Sequence, residues 1–192
     1  MAEQPADRAA HRARLIELIK ERSYREGPAF KLASGKISTF YFNMKPTVLD
    51  SEGAYLVASL ILDQLEGINA DLIGGLEMGA VPIAASVAAI AHTRGRRLPA
   101  FFVRKQAKEH GTQSLVEGLA AGETMAGKKV VIVEDVTTTG GSALKAAEAL
   151  KAAGAEIVRV ITIVDRLDGA AEAFAAAHLP FRPILTLDDF RA

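Results

Sequence analysis

The spacing of apolar positions changes from segment to segment along this chain, and each spacing predicts an element. Between residues 7 and 21, Leu15, Ile16, Leu18 and Ile19 recur at helical intervals among charged neighbours, which predicts an amphipathic helix that covers another surface. Two strand-like runs follow, 29–33 and 38–43, around Ser34-Gly35-Lys36, which has the composition of a hairpin turn. Asp50 or Ser51 can then cap a helix running to about Glu66, where Gly67 supplies the stop.

From there the pattern is rhythmic. Strands are predicted at 72–76, 99–103, 130–134 and 157–164, with helices at 81–91, 143–153 and 170–177. Val130, Val131, Ile132 and Val133 form an unbroken apolar run, which suits a parallel strand covered on both faces. The expected fold class is therefore α/β, with a mostly parallel central sheet flanked by helices. Residues 104–127 are polar and lack a clear period; loops of that length are usually functional lids or disordered segments.

Composition narrows the picture in three ways. At 192 residues the chain fits one domain of ordinary size, burying roughly 70% of its unfolded surface. The absence of cysteine removes thiolate nucleophiles, disulfides and Cys-ligated zinc, and fits a reducing cytosol. Twenty-three basic and twenty-three acidic residues cancel, which argues against a broad nucleic-acid surface. The opening MAEQPADRAA has no apolar core of a secretory signal, and the least polar stretch, 78–91, is broken by Pro82 and is shorter than the roughly 20 residues a membrane span needs. A cytoplasmic protein without membrane contact is expected.

Chemistry concentrates after the 130–133 run. In parallel α/β sheets ligands sit beyond the carboxyl ends of strands, and here Glu134 and Asp135 follow the strand. Paired carboxylates there are poor core filler, because an unpaired buried charge is costly; the plainer alternative is a solvated turn cap. Next come Thr137, Thr138, Thr139, Gly140, Gly141 and Ser142, hydroxyls and glycines at a helix start, where backbone N–H groups can cradle a phosphate. Together, carboxylates and phosphate loop can hold the hydroxyls and the phosphate of one ribose phosphate. A second glycine-rich match, Gly122 to Lys128, imitates a Walker A loop, but Lys129 stands where Ser or Thr is required and a strand follows instead of a helix.

The segment VVIVEDVTTTGGS resembles the motif by which type I phosphoribosyltransferases bind 5-phosphoribosyl 1-diphosphate (PRPP). Three further stretches resemble the orotate branch of that family: Ser34-Gly35-Lys36 with Ser38 and Tyr41, the RKxxKxHG loop from Arg104 to Gly111, and Asp165-Arg166. The resemblance implies a core of about 46–178 with a small hood, formed by the N-terminal helix and hairpin (about 1–45) and the C-terminal segment (179–192). It implies Mg2+-dependent phosphoribosyl transfer from PRPP to orotate, giving orotidine 5′-monophosphate and pyrophosphate in pyrimidine biosynthesis. It also implies a homodimer that shares the lid loop between subunits.

On this resemblance Lys105, Lys108, His110 and Asp135 are the catalytic group. Arg104, Lys105, Lys108, His110, Glu134, Asp135 and the loop Thr137 to Ser142 would bind PRPP; Lys36, Tyr41, Phe42, Thr138 and Arg166 would bind orotate. The metal would be held mainly by PRPP, with no direct protein ligand. The residue types suit those roles: cations neutralise a growing diphosphate charge, carboxylates hold ribose hydroxyls, and a guanidinium grips a carboxylate with two hydrogen bonds. The chain departs from the family pattern at Ala33, where some members have lysine and where Lys31 or Lys36 is the substitute. It departs again at Gly75-Leu76-Glu77-Met78-Gly79-Ala80, which lacks a lysine some members carry. Glu77 and Met78 read equally as substrate contacts and as packing or surface residues, and His11, His92 and His178 as ordinary polar positions. Two competing functions remain at this level: transfer to a purine or xanthine, and PRPP sensing by a nucleic-acid-binding regulator.

Overall fold

The structure is a computed structural model that describes residues 5–31, 37–106 and 115–191. Helix α1 (Pro5–Arg22) precedes the strands β1 (Tyr24–Lys31) and β2 (Ile37–Phe42). Then come α2 (Lys45–Val48), α3 (Ser51–Gln64), β3 (Leu72–Gly74), α4 (Ala80–Thr93) and β4 (Phe102–Val103). The second half holds β5 (Val116–Glu117), β6 (Lys129–Thr137), α5 (Gly141–Ala152), β7 (Glu156–Asp165), α6 (Ala170–Ala176), β8 (Phe181–Thr186) and α7 (Asp188–Arg191).

The unbroken apolar run lies in β6, an inner strand of a four-stranded parallel sheet ordered β3-β6-β7-β8. Successive side chains of a strand point to opposite faces. Val131 and Val133 accordingly join the core under α3 and α4, while Val130 and Ile132 join the core under α5 and α6, and all four are fully buried. Each such side chain contributes about 1.5–3 kcal/mol by leaving water, so the run holds both layers to the sheet.

Direction of travel across the sheet decides where a ligand can enter. From β6 the chain winds through α5 to β7 and through α6 to β8, moving one way. From β3 it passes through α4 and returns on the opposite side of β3, where Ile73 N donates to Pro99 O at 3.0 Å and Val103 N to Gly75 O at 2.8 Å. The two halves therefore diverge between β3 and β6, and a crevice opens at the carboxyl ends of those strands.

Several predicted boundaries move. β6 continues to Thr137 because β7 runs beside it, pairing Val136 with Val164 and Thr137 with Asp165. The predicted strand at 99–103 is formed by β4 together with the bridge of Ala100 to Ile73. β5 was hidden in the aperiodic stretch and pairs antiparallel with β4. β1 starts earlier than its apolar run, and a register irregularity between Glu26 and Phe30 absorbs Gly27 and Pro28.

The segment 179–192, expected in the hood, divides. β8 is an edge strand of the central sheet, where Pro183, which masks the strand in the sequence, forfeits no ladder bond on its open side. Only α7 turns back to the β1-β2 hairpin, where Phe190 meets Phe42 and Tyr24 at ring separations of 5.0 and 5.6 Å.

Candidate active site

Glu134 and Asp135 stand half-buried in β6 and line a cleft of about 660 Å³ at the diverging strand ends. The opposite wall is the turn after β3, which contains a cis peptide between Glu77 and Met78. That wall comes close: a Cβ on Gly79 would lie 2.8 Å from Asp135 Oδ1, so glycine is required for the approach. Asp135 Oδ1 also accepts from Val136 N at 2.9 Å.

Burial pushes the Glu134 carboxyl up from 4.5 to about 8; neighbouring Asp135 adds to the rise and Lys105 opposes it. Asp135 is raised as well, by burial, against the pull of its backbone hydrogen bonds and of Lys45. Two carboxyl groups side by side in a poorly hydrated cleft want partners that donate hydrogen bonds or bring positive charge.

A second hollow of about 330 Å³ adjoins the cleft and shares Glu134 and Ser142 with it. Thr138, Thr139, Gly140 and Gly141 line it. Gly140 caps α5 with φ +81°, and a Cβ there would meet the Phe174 ring at 2.9 Å, so the turn needs glycine for its backbone and for its close packing. The first N–H groups of α5 have no intrahelical acceptor and favour an anion in front of them. Ser142 is exposed and does not cap the helix. Thr137 differs from the rest of the loop: it ends β6, 2% exposed, and its hydroxyl has no hydrogen-bond partner.

Arg104 and Lys105 stand where the predicted lid leaves the body. Arg104 N donates to Leu115 O at 2.8 Å, which ties the two stems together beyond the β4-β5 pair. Lys105 N donates to Glu77 Oε1 at 2.9 Å, Lys145 Nζ donates to Lys105 O at 3.2 Å, and Lys105 lines the cleft. Lys108 and His110 lie outside the described residues. Glu77 and Lys145 are the anchors that sequence reasoning missed; they act on a loop 28 and 40 residues away, and no local spacing marks them.

Arg166 follows β7 and is 5% exposed. Its Nη2 donates to Ser38 Oγ at 3.0 Å, its guanidinium lies 4.3 Å from the centre of the Phe40 ring, and its Nε is 3.7 Å from Asp168 Oδ2. Asp165 makes no pair with it and instead accepts from Leu167 N at 3.0 Å. Burial lowers the Arg166 pKa, and Asp168 opposes that effect.

This guanidinium lines a separate hollow of about 410 Å³ with Ser38, Phe40, Asp168 and Arg191. β2 thus brings Ser38 and Phe40 to Arg166. Tyr41 alternates to the exposed side and stacks on Phe30 at 5.9 Å, while Phe42 is buried against Tyr24 and Phe190. Lys36 lies outside the described residues.

A parallel sheet with an acidic pair and a Thr/Gly anion loop at its switch point defines a phosphoribosyl transferase domain, and the family model of that description matches residues 48–176. An orotate phosphoribosyltransferase of Rhodopseudomonas palustris is 56% identical over 183 residues, covering 95% of this chain and 97% of the relative. This chain belongs to the orotate phosphoribosyltransferase family. Two crystal structures of the Mycobacterium tuberculosis orotate phosphoribosyltransferase share the fold. The Fe(III) dicitrate complex has TM-score 0.80 and 38% identity, and the PRPP complex has TM-score 0.77 and 35% identity; each covers 95% of this chain and 99% of the other.

Proposed function

We propose that this chain transfers the 5-phosphoribosyl group from PRPP to a ring nitrogen of orotate, forming orotidine 5′-monophosphate and releasing pyrophosphate in pyrimidine nucleotide synthesis. The observation that carries this reading is the adjoining pair of hollows, one with two carboxyl groups and one with an anion loop, sharing Glu134 and Ser142. That pairing suits a ribose with its hydroxyls on Glu134 and Asp135 and its 5′-phosphate on the loop 138–142. Family membership over nearly the whole chain supports the choice of orotate.

The C1–O bond to the diphosphate breaks as the orotate nitrogen, whose acidic proton passes to solvent, bonds to C1, and positive charge develops on the ribose between them. Asp135 supplies negative potential there, joined by Glu134 once ribose hydroxyls and the cations around the cleft lower its pKa from the ligand-free value of about 8. Arg104 and Lys105, with Lys108 and His110 from the lid, neutralise charge growing on the departing diphosphate. Orotate needs no covalent intermediate, so positioning dominates the barrier. Arg166, held by Ser38 and Phe40, is the partner for the orotate carboxylate.

Among the described residues no cluster of three His, Asp or Glu is arranged to hold a metal alone. Mg2+ would therefore be held mainly by the diphosphate oxygens of PRPP, with no direct protein ligand. When bound, the ion supplies charge neutralisation on the diphosphate oxygens. Among the described residues no helix is long and apolar enough to cross a membrane. We place the enzyme in the cytoplasm as a homodimer in which each lid completes the partner's site.

The test follows orotate absorbance with PRPP, with Mg2+ and with the metal chelated. Orotate is consumed only when PRPP and Mg2+ are both present. Turnover of adenine, guanine or xanthine in place of orotate would move the assignment to another branch of the family.

A further inference from the structure

The cleft carries an imbalance of charge. Three carboxyl groups face it, Glu77, Glu134 and Asp135, yet its proposed occupant is a polyanion. Two lysines line it, Lys105 and Lys45. Lys105 belongs to the stem of the lid. The turn after β3, which forms one wall, carries no lysine or arginine from Gly75 to Ala80. A fixed cation therefore has to come from another element.

We infer that Lys45 is a substrate-binding residue of this cleft and contacts the diphosphate of PRPP, a role that rests on the PRPP reading of the site. Among the described residues no hydrogen bond or ion pair engages its ammonium group, so its three donors are available to a ligand. It lines the same cleft as Asp135, and its positive charge opposes the burial that raises the Asp135 carboxyl, which sets it within electrostatic reach of the acidic pair. An ammonium is a compact point charge suited to phosphate oxygens.

The backbone beneath Lys45 is held firmly. Met44, Thr47 and Val48 are buried on either side of it, and Pro46 restricts the first turn of α2. Thr47 and Ser23 share a buried hydroxyl hydrogen bond of 2.6 Å. The Thr47 carbonyl packs so tightly on α3 that a Cβ on Gly53 would collide with it. Lys45 is thus presented from a well-packed base, on an element separate from the lid stem that carries Lys105.

The experiment measures binding of PRPP, pyrophosphate and orotidine 5′-monophosphate by calorimetry with Mg2+, in the full-length protein and in Lys45→Gln and Lys45→Arg. Losing one charge-assisted contact should weaken PRPP and pyrophosphate about tenfold or more in Lys45→Gln. Orotidine 5′-monophosphate, which lacks a diphosphate, should keep its affinity within about twofold, and Lys45→Arg should recover most of the loss for PRPP. The KM for PRPP should rise while that for orotate holds. Unchanged PRPP affinity in Lys45→Gln overturns the assignment, as does an equal loss for orotidine 5′-monophosphate. If the unaltered protein bound neither PRPP nor orotidine 5′-monophosphate, the reading of the whole site would fail instead.

Discussion

Glu134 holds its proton far more tightly than an ordinary carboxyl group because burial and Asp135 both disfavour its charge. In the unfolded chain that restraint is gone. Its folded pKa lies above the unfolded one, so its contribution to stability is fully present below pH 4.5 and is lost as pH rises through about 8. Asp135, raised for the same reason, slopes the same way. Without ligand, the melting temperature should fall over this pH window, and Glu134→Gln should flatten the fall while Asp135 leaves a remainder. Equal slopes in the two proteins, measured by scanning calorimetry, would show that Glu134 is not so restrained. The acidic pair itself was legible as residues, since carboxylates after an apolar strand are out of place in a core. Its contact with Gly79 was not, because that approach joins two strand ends far apart in sequence. The same limit applies to the aromatic side of the site: sequence resemblance pointed to Tyr41 and Phe42, whereas strand alternation puts Phe40 against Arg166.

At the scale of elements, helix starts carry much of the site's architecture. Asp50 caps α3, its Oδ1 accepting from Glu52 N at 3.0 Å and Gly53 N at 3.2 Å, as its position before an apolar run predicts. Asp50→Ala should cost about 1 kcal/mol, lowering the melting temperature by about 2–4 °C for a chain of this size. No change in the calorimetric midpoint would mean that the cap is replaced by water at no cost. α5 starts differently, on Gly140 with no side-chain cap, which leaves its N–H groups open to an anion. Long periodic elements were readable because one buried face imposes one spacing. β5 and β8 were not: the first has two residues, and the second contains Pro183, so each depends on a neighbouring strand for its definition.

The whole molecule adds what no single element holds, a candidate site whose proposed parts come from β6, the turns after β3 and β7, the hairpin and the lid stem. If each lid completes the partner's site, Lys108→Ala and Asp135→Asn subunits, each inactive alone, should regain part of the activity when co-assembled, since one mixed site then has both residues. Purified mixed dimers with no activity above the separate variants would place the lid in its own subunit. By itself the sequence determined the α/β class, the doubly covered strand, the acidic pair, the Thr/Gly loop and the family, because these are encoded in contiguous residues whose spacing follows backbone geometry. Only the tertiary structure decided that Glu77 and Lys145 pin the lid stem, that Ser38 and Phe40 hold Arg166, and that Lys45 lines the same cleft as the acidic pair. Those contacts span tens to more than a hundred residues, and a long-range contact comes into being only when packing brings separate elements together, leaving no periodic trace in the chain.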